Sequence, residues 1–307
     1  MKSRALLIAA LFLLPNLLGF ATFTFMPVVA SFGLSFCTWD PVAQEVDEIA
    51  PAGLNNYGEL LGFHHEPQED GATRLVANSP RFWESLYNSA FLMMAIPVNM
   101  AASLLLAVLL NRKIRGRLLF RTAFFLPSIS AGVGTMLLWQ VLFNTDAGMI
   151  NRTLALLGLP GPQWLTSYTW AKPALMIMGS WAAVGGVNMI LYLAGLQQIP
   201  RQLYEAASID GASRWQQLWH VTVPMLTPIT FFIFIISVIG GLQGEFDASY
   251  IMTRGAYGTT TMSLYIFQQA FEYFRMGFAA AATWVLFLIV FVVTVINWRI
   301  AERRVEY

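Results

Sequence analysis

Charge and cysteine are both scarce in this sequence of 307 residues, and each shortage excludes a class of protein. Only 11% of the residues are charged and 57% are hydrophobic, against about 25% and 45–50% in soluble domains, which excludes an ordinary water-exposed globular protein. A single cysteine, Cys37, forms no internal disulfide, and with three histidines it supplies no zinc or iron–sulfur ligand set. We therefore expect no metal site, and we expect no nucleic-acid partner.

Lysine is also rare, which bears on nucleotide chemistry. The three lysines are Lys2, Lys113 and Lys172, and none follows a glycine. The GxxxxGK loop that binds nucleotide phosphates is therefore absent from the sequence. We expect a protein that is not an enzyme and binds no cofactor itself, so any ATP and Mg²⁺ that drive it are used by another chain. An intramembrane enzyme, such as a lipid-modifying transferase, is the alternative from a different class, but it needs an acid/base or metal cluster that the sequence lacks.

Long uncharged blocks are what the sequence does contain, and its mean hydropathy is +0.58. A helix that crosses ~30 Å of hydrocarbon needs about 20 apolar residues, because every backbone amide must be satisfied within the segment. Two uncharged runs, 153–171 and 255–271, are too rich in Gly and Pro or in Thr, Ser and Gln to be expected to span. Six others qualify and predict an all-α, polytopic membrane protein with six transmembrane helices, approximately at residues 5–27, 86–110, 122–143, 173–196, 225–244 and 276–298.

The distribution of Lys and Arg predicts the orientation. Both termini and the loops after the second and fourth spans carry twelve of the 18 basic residues, so we expect both termini in the cytoplasm. The uncharged run over residues 5–39 far exceeds the 7–15 residue core of a signal peptide, so we interpret it as a retained membrane anchor. This gives four regions: 1–37, the first span; 38–84, an external acidic loop; 85–298, a core of five spans with a cytoplasmic loop at 197–224; and 299–307, a cytoplasmic tail.

Two loops leave alternatives open. The external loop has nine acidic residues against Arg74 and Arg81; it is either a docking surface for an external partner or, the interpretation we favour, a solvated hairpin that avoids lipid. Its adjacent His64 and His65 are weak evidence for a metal. The basic turn at residues 111–117 either binds an anionic partner or lipid headgroups, or, as we favour, only orients its flanking helices.

The cytoplasmic loop at 197–224 has regular helix punctuation. Pro200 begins a predicted helix over Arg201–Ile209, and Asp210-Gly211 predicts its end and a turn. Ser213 and Gln216 form a predicted capping box for a second short helix, which Pro224 closes before the fifth span. Glu205 precedes Ile209 by one turn, so an anion and an apolar side chain lie close together.

The spacing within this loop matches a known motif. Glu205-Ala206-Ala207, then Gly211, then Val221 and Val223-Pro224, follow the pattern E-A-A-x3-G-x9-I-x-L-P with valines at the Ile and Leu positions. The loop resembles the EAA loop of the membrane subunits of binding-protein-dependent ABC importers. The segments FNTDAGMIN, LAGLQQIP and IDGAS resemble the carbohydrate branch of that family, and the similarity covers about residues 85–298.

The resemblance implies a type I ABC importer permease fold in the cell inner (plasma) membrane and uptake of a sugar or oligosaccharide, with a glycerol phosphate ester as the alternative solute. It implies three kinds of partner: a second permease subunit that forms a heterodimer, two cytosolic ATPase subunits, and an external solute-binding protein. By this resemblance Glu205 makes a polar contact in the ATPase and Ile209 an apolar one. Ala206 and Ala207 allow close approach, Gly211 permits the turn, and Pro224 leads into the fifth span.

Polar and aromatic side chains at membrane depth are candidates for the substrate path, because such groups are costly unless they face other helices or water. Amides, carboxylates and aromatic faces suit a neutral polyol. The alternatives are an interfacial aromatic belt and hydrogen bonds that only link helices. Gly185-Gly186 and Gly240-Gly241 are either hinges or, as we favour, points of close packing. The full set is Asn99, Gln140, Asn188, Gln243, Glu245, Asp247, Trp139, Trp181 and Tyr250, of which we select Trp181, Asn188, Gln243 and Glu245, with Tyr250 beside them.

Overall fold

The computed structural model describes residues 12–42, 49–67, 73–112, 114–130, 132–243 and 246–305, with side chains to residue 299. Helices hold most of these residues, and π-helical turns lie at Ala21–Phe25, Leu218–Thr222 and Gln268–Glu272. In chain order the helices are α1 Phe12–Leu34, α2 Asn55–Leu61, α3 Pro80–Leu92, α4 Ala95–Asn111, α5 Arg117–Ile129, α6 Gly132–Leu142, α7 Met149–Leu156, α8 Ala171–Val184, α9 Val187–Gln198, α10 Arg201–Ile209, α11 Arg214–Met225, α12 Thr227–Gln243, α13 Phe246–Thr253, α14 Met262–Phe267 and α15 Met276–Val305.

Four helical stretches are long and apolar enough to cross a membrane: Phe12–Leu34, Pro80–Asn111, Ala171–Gln198 and Met276–Arg299. Two bent pairs, α5 with α6 and α11 with α12, raise the number to six if each pair is one span, by length and composition. The predicted start of the first span, residues 5–11, lies outside the described residues. Neither 153–171 nor 255–271 forms a long apolar helix.

The predicted external loop, for which we favoured a solvated hairpin, contains two strand pairs and a short helix whose positions the sequence did not indicate. Strands β1 (Cys37–Thr38) and β2 (Ala50–Pro51) pair antiparallel, as do β3 (Phe63–Pro67) and β4 (Thr73–Ala77). In the second pair Phe63 is opposite Ala77 and Pro67 opposite Thr73. Helix α2 lies between the two pairs along the chain. The all-α class holds for the membrane-spanning part, and the hairpins are short additions to it.

The chain divides into two compact units, of which one comprises the described residues of Met1–Phe82 with Tyr265–Leu288. In this unit α1 contacts α15, because Trp284 Nε1 donates to Ser31 Oγ at 3.2 Å and the Trp284 ring meets the Phe32 ring edge-on at 4.7 Å. Arg275 and Glu59 form an ion pair at 2.6 Å with both side chains half-exposed, which limits its contribution to stability. Burial raises the pKa of the Tyr265 phenol, and a hydrogen bond with Ser79 opposes that shift.

The other unit, Trp83–Leu264 with Ile289–Tyr307, contains a core between α4, α9 and α12. Buried residues recur every three or four positions on α4 and α9, so each helix turns one apolar face to the other. Gly195 of α9 allows α12 to approach, since a Cβ there would overlap Ile229 and meet Leu226 at 2.7 Å. The main buried side chains are Met100, Ala107, Leu110, Met189, Tyr192, Leu193, Leu196, Leu226 and Ile233.

The segment FNTDAGMIN, residues 143–151, has a structural role in the same unit. Asn144 Oδ1 accepts hydrogen bonds from the amides of Asp146 and Ala147, and this bends the chain toward α7. Asn151 is buried, donates to the Thr145 carbonyl at 2.9 Å, and accepts from Trp164 Nε1 at 2.7 Å. These bonds fix the irregular stretch that follows α7, where few backbone groups are paired within a helix or strand.

Candidate functional site

The motif-bearing helix α10 begins and ends where its sequence predicts. Pro200 precedes it in an extended conformation, and Asp210 follows it with its amide bonded to the Ala206 carbonyl at 3.0 Å. Gly211 has a φ of +76°, a left-handed conformation that glycine adopts without strain. The glycine of the motif is therefore required by the backbone turn between α10 and α11.

The predicted capping box is present at the start of α11. Gln216 Oε1 accepts from the Ser213 amide at 2.7 Å, and Ser213 Oγ accepts from the Gln216 amide at 3.3 Å. Gln217 Nε2 then donates to Ser208 Oγ at 3.0 Å and to the Ala212 carbonyl at 3.1 Å. The two short helices are thus fixed to each other by side chains as well as by the turn.

The outer face of α10 is open to solvent. Glu205 and Ala206 are exposed, Ala207 is half-buried, and Ile209 is 86% exposed. The helix therefore presents an aliphatic side chain to the outside one turn after a carboxylate. Small residues beside this pair leave room for another surface to approach the helix backbone.

Tyr204 attaches the inner face of α10 to the rest of the unit. Its ring packs against the core between α4, α9 and α12, and its hydroxyl hydrogen-bonds Thr222 Oγ1 at 2.9 Å. Thr222 is only 5% exposed and lies one turn before Met225, where α11 ends. Pro224 lies in that last turn, before a 65° bend into α12. Tyr204 thus links α10 to the end of α11, immediately before α12 begins.

A cavity of about 240 Å³ lies between α4, α8, α9 and α12. Its polar lining consists of Asn99, Ser180, Asn188 and Ser237. The Asn99 Oδ1 atom is buried and has no hydrogen-bond partner among the described residues. Small residues, Gly179, Gly240 and Gly241 among them, keep the cavity open. The amide and hydroxyl groups in its wall suit a neutral polar solute.

Asn188 is the one of the five selected path residues that lines this cavity in the described part of the chain. Trp181 is 44% exposed, and its ring meets that of Trp139 at 5.8 Å. Gln243 is exposed at the end of α12, and Tyr250 stacks on Phe246 at 5.4 Å with Arg254 over its ring. Glu245 lies outside the described residues. The role of these residues in the path stays a prediction.

The remaining polar candidates differ in their surroundings. Gln140 Nε2 donates to the Ile251 carbonyl at 2.6 Å, so it links α6 to α13. Trp139 Nε1 is buried without a hydrogen-bond partner in the described chain, and Asp247 is exposed. Sequence reasoning overlooked Ser180 and Ser237. On α12, Ser237, Gly240 and Gly241 are spaced i, i+3, i+4, which places them on one helix face and was the available signal.

The glycine pairs pack closely in three of four positions. A Cβ at Gly185 would overlap the Phe124 carbonyl oxygen, one at Gly186 would meet Ser128 Cβ at 3.1 Å, and one at Gly241 would meet Met93 Cγ at 2.8 Å. Nothing lies within 4 Å of a Cβ at Gly240, which faces the cavity. Close packing is therefore the main role of the first pair.

A bundle of apolar spanning helices, an internal polar cavity and an exposed helical loop attached to one span define a polytopic membrane transport protein. The family model of the binding-protein-dependent transport system inner membrane component matches residues 75–307. The chain belongs to this family of ABC importer permease subunits. This confirms the resemblance to that family that the EAA loop indicated.

Known proteins agree with this assignment over most of the chain. A probable ABC transporter permease of Bacillus subtilis, YesP, is 34% identical over 96% of this chain and 91% of its own length. The lactose transport system permease protein LacF of Rhizobium radiobacter is 39% identical over 74% of this chain and 78% of its own. The crystal structure of a bacterial ABC transporter involved in alginate import matches with a TM-score of 0.79 at 23% identity, covering 99% of this chain and 98% of that one. That match shows the fold.

Proposed function

We propose that this permease imports a neutral sugar or oligosaccharide. Three observations support the substrate class: a relative that transports lactose, the segments similar to carbohydrate permeases, and the neutral polar lining of the cavity. Sugars are held by hydrogen bonds to amides and hydroxyls and by aromatic faces, all of which this unit supplies. Asn188 and Asn99 contact the solute, and the path also includes Trp181, Gln243, Glu245 and Tyr250.

A glycerol phosphate ester is the competing solute. Binding a phosphate in a low-dielectric cavity requires a cation or several aligned donors. The described residues that line the cavity include no Lys, Arg or His, which favours the neutral sugar. Competition for uptake by a panel of unlabelled sugars and by glycerol 3-phosphate distinguishes the two.

The energy for uptake comes from ATP and Mg²⁺ bound by two separate cytosolic subunits that dock on α10. The exposure of Glu205 and Ile209 on a helix attached through Tyr204 to the base of the fifth span is the observation that carries this proposal. Glu205 makes a polar contact and Ile209 an apolar one in the ATPase, and Ala206 and Ala207 permit close approach. The bend after Pro224 then transfers the movement of α10 to α12.

A second permease subunit completes the pathway, and an external solute-binding protein delivers the sugar. Both proposals rest on the family, whose description makes transport dependent on a binding protein. The termini and α10 lie in the cytoplasm. Twelve of the 18 basic residues are in the termini and in the loops after the second and fourth spans, and cytoplasmic segments carry the excess of Lys and Arg.

Replacement of Glu205 by Ala, or of Gly211 by Val, is the experiment that tests the coupling proposal. Either change should lower sugar uptake by about tenfold or more while ATP hydrolysis persists, because it alters α10 or its turn, which connect the ATPase to the fifth span. Gln202→Ala, on an exposed position of the same helix outside the motif, is the matched control and should transport normally. Normal uptake with both Glu205 and Gly211 replaced, at unchanged membrane insertion, contradicts the proposal.

A further inference from the structure

A second cavity lies where α4 ends and α11 begins. Its volume is about 250 Å³, and the guanidinium-bearing residues Arg112 and Arg214 both line it. Asn111, Gln217, Tyr204 and Thr222 supply the neutral polar part of its wall. The hydroxyls of Tyr204 and Thr222 are bonded to each other, and Gln217 Nε2 donates to Ser208 Oγ and to the Ala212 carbonyl. The two arginines and the Asn111 amide are therefore the groups that a ligand meets.

The charge of this cavity is of one sign. No Asp or Glu is among its lining residues, and neither arginine makes an ion pair with any residue that the structure describes. Arg121 adds a third cation nearby, since its Nη2 donates to the Leu110 carbonyl at 3.3 Å at the end of α4. The Arg112 amide bonds the Leu109 carbonyl, so two of the acceptors at that helix end are occupied. Both arginines are exposed, and guanidinium groups without a counter-charge are able to bind a phosphate group by charge-assisted hydrogen bonds.

The helix that contains Arg214, α11, also contains two exposed tryptophans, which indicate its depth in the membrane. Trp215 and Trp219, spaced i, i+4 on α11, are 66% and 52% exposed, and their rings meet edge-on at 5.7 Å. Tryptophan concentrates at the boundary between hydrocarbon and headgroups, and α11 leads directly into the spanning helix α12. The cavity beside Arg214 is therefore at the level of lipid headgroups.

We propose that Arg112 and Arg214 form a binding site for the phosphate of an anionic phospholipid, with Trp215 and Trp219 against the adjoining lipid. The site connects the end of α4 with α11, so a bound lipid holds these two elements together. This role is separate from solute binding and from contact with the ATPase.

The test is the retention of phosphatidylglycerol by the full-length chain, purified from membranes in neutral detergent and observed by native mass spectrometry. Changing both Arg112→Gln and Arg214→Gln should weaken retention by about tenfold or more, since each basic group near the surface contributes several-fold. Arg117→Gln is the matched control: this arginine is exposed, follows α4 in the same basic turn, and does not line the cavity. The paired Arg112→Lys and Arg214→Lys variant keeps the charge and should recover much of the retention.

Four results would overturn the site. Equal loss in the Arg117→Gln control indicates a diffuse basic surface, and equal retention of phosphatidylcholine indicates no selection for an anionic lipid. Displacement of phosphatidylglycerol by inorganic phosphate at similar concentration assigns the cavity to a free anion. Loss of partner subunits from the double glutamine variant with lipid retention unchanged assigns it to a protein contact.

Discussion

At the scale of single residues, the Tyr204 side chain connects the exposed helix α10 to the apolar core between α4, α9 and α12. Its hydroxyl contacts a buried threonine, and its ring is part of an apolar cluster. The two interactions have different consequences, because the ring contributes burial and the hydroxyl fixes the position of α10 relative to Thr222. A substitution that removes only the hydroxyl separates them.

We predict that Tyr204→Phe loosens α10 without unfolding the protein. The loss of one hydrogen bond to a buried hydroxyl should cost about 0.5–1.5 kcal/mol, and amide hydrogen exchange over Arg201–Ile209 should become several-fold faster. Uptake per ATP hydrolysed should fall, since the attachment of α10 is weaker.

Thr222→Val removes the other partner of this bond and is the comparison variant. Thr222 Oγ1 also donates to the Gln217 carbonyl at 3.3 Å, so Thr222→Val carries an additional cost. The effect of the double variant should still be smaller than the sum of the single effects, because both changes remove the bond between Tyr204 and Thr222. Unchanged exchange in Tyr204→Phe, or full additivity, would show that the hydroxyl does not hold the helix.

Which polar residues face the cavity could be predicted only in part at this scale. Asn188 is in the lining, whereas Trp181 and Gln243 are not among the residues that surround it. All three are reasonable candidates by residue type and depth. The direction in which each side chain points depends on how the four helices around the cavity pack. A helix that is apolar on all sides has no polar and apolar faces in its sequence, so the sequence does not indicate which face is turned to the cavity.

At the scale of elements, the loop between the fourth and fifth spans was predictable in detail. The bounds of α10, the turn at Gly211 and the Ser213 capping box follow from signals within a few residues of each feature. The hairpins between α1 and α3 were not predictable in this way. Two of their strands have only two residues, and the pairing of β3 with β4 joins mostly exposed positions without an alternation of polar and apolar residues.

The break between α8 and α9 provides a prediction about packing. A Cβ at Gly185 would overlap the Phe124 carbonyl oxygen of α5, whereas one at Gly240 of α12 meets nothing within 4 Å. Gly185→Ala should therefore lower the free energy of unfolding by about 1–3 kcal/mol, because backbone has to shift. The matched control Gly240→Ala should be neutral or slightly stabilising, since alanine favours a helix interior.

Thermal unfolding of both variants in detergent measures the difference. The melting temperature of Gly185→Ala should fall by several degrees relative to Gly240→Ala. Equal melting temperatures would mean that α5 moves away from the break at little cost, and that the pair of glycines has a role other than close packing.

At the scale of the whole molecule, composition and hydrophobic run length predicted the class, and the motif spacing predicted the family. Both signals are sums over many residues, so single departures such as the valines of the EAA loop do not obscure them. Pro224 indicated a helix break before the fifth span, but the angle of 65° between α11 and α12 was not predictable, because it depends on how α12 packs against α4 and α9. The orientation of the chain in the membrane depends on the distribution of Lys and Arg among the loops. It is therefore a prediction independent of the class and of the family.

We predict that α10 is reached from the cytoplasm and the segment before α8 from outside. The single cysteine, Cys37, is first replaced by Ser, and a new cysteine is placed at Ile209 or at Tyr168, which are 86% and 75% exposed. A membrane-impermeant maleimide should label Tyr168→Cys but not Ile209→Cys in intact spheroplasts. Inverted vesicles, washed with urea to remove bound subunits, should give the reverse, because twelve of the 18 basic residues hold the loop of α10 and the termini inside. Labelling of Ile209→Cys in intact spheroplasts would place α10 outside, where no ATPase reaches it.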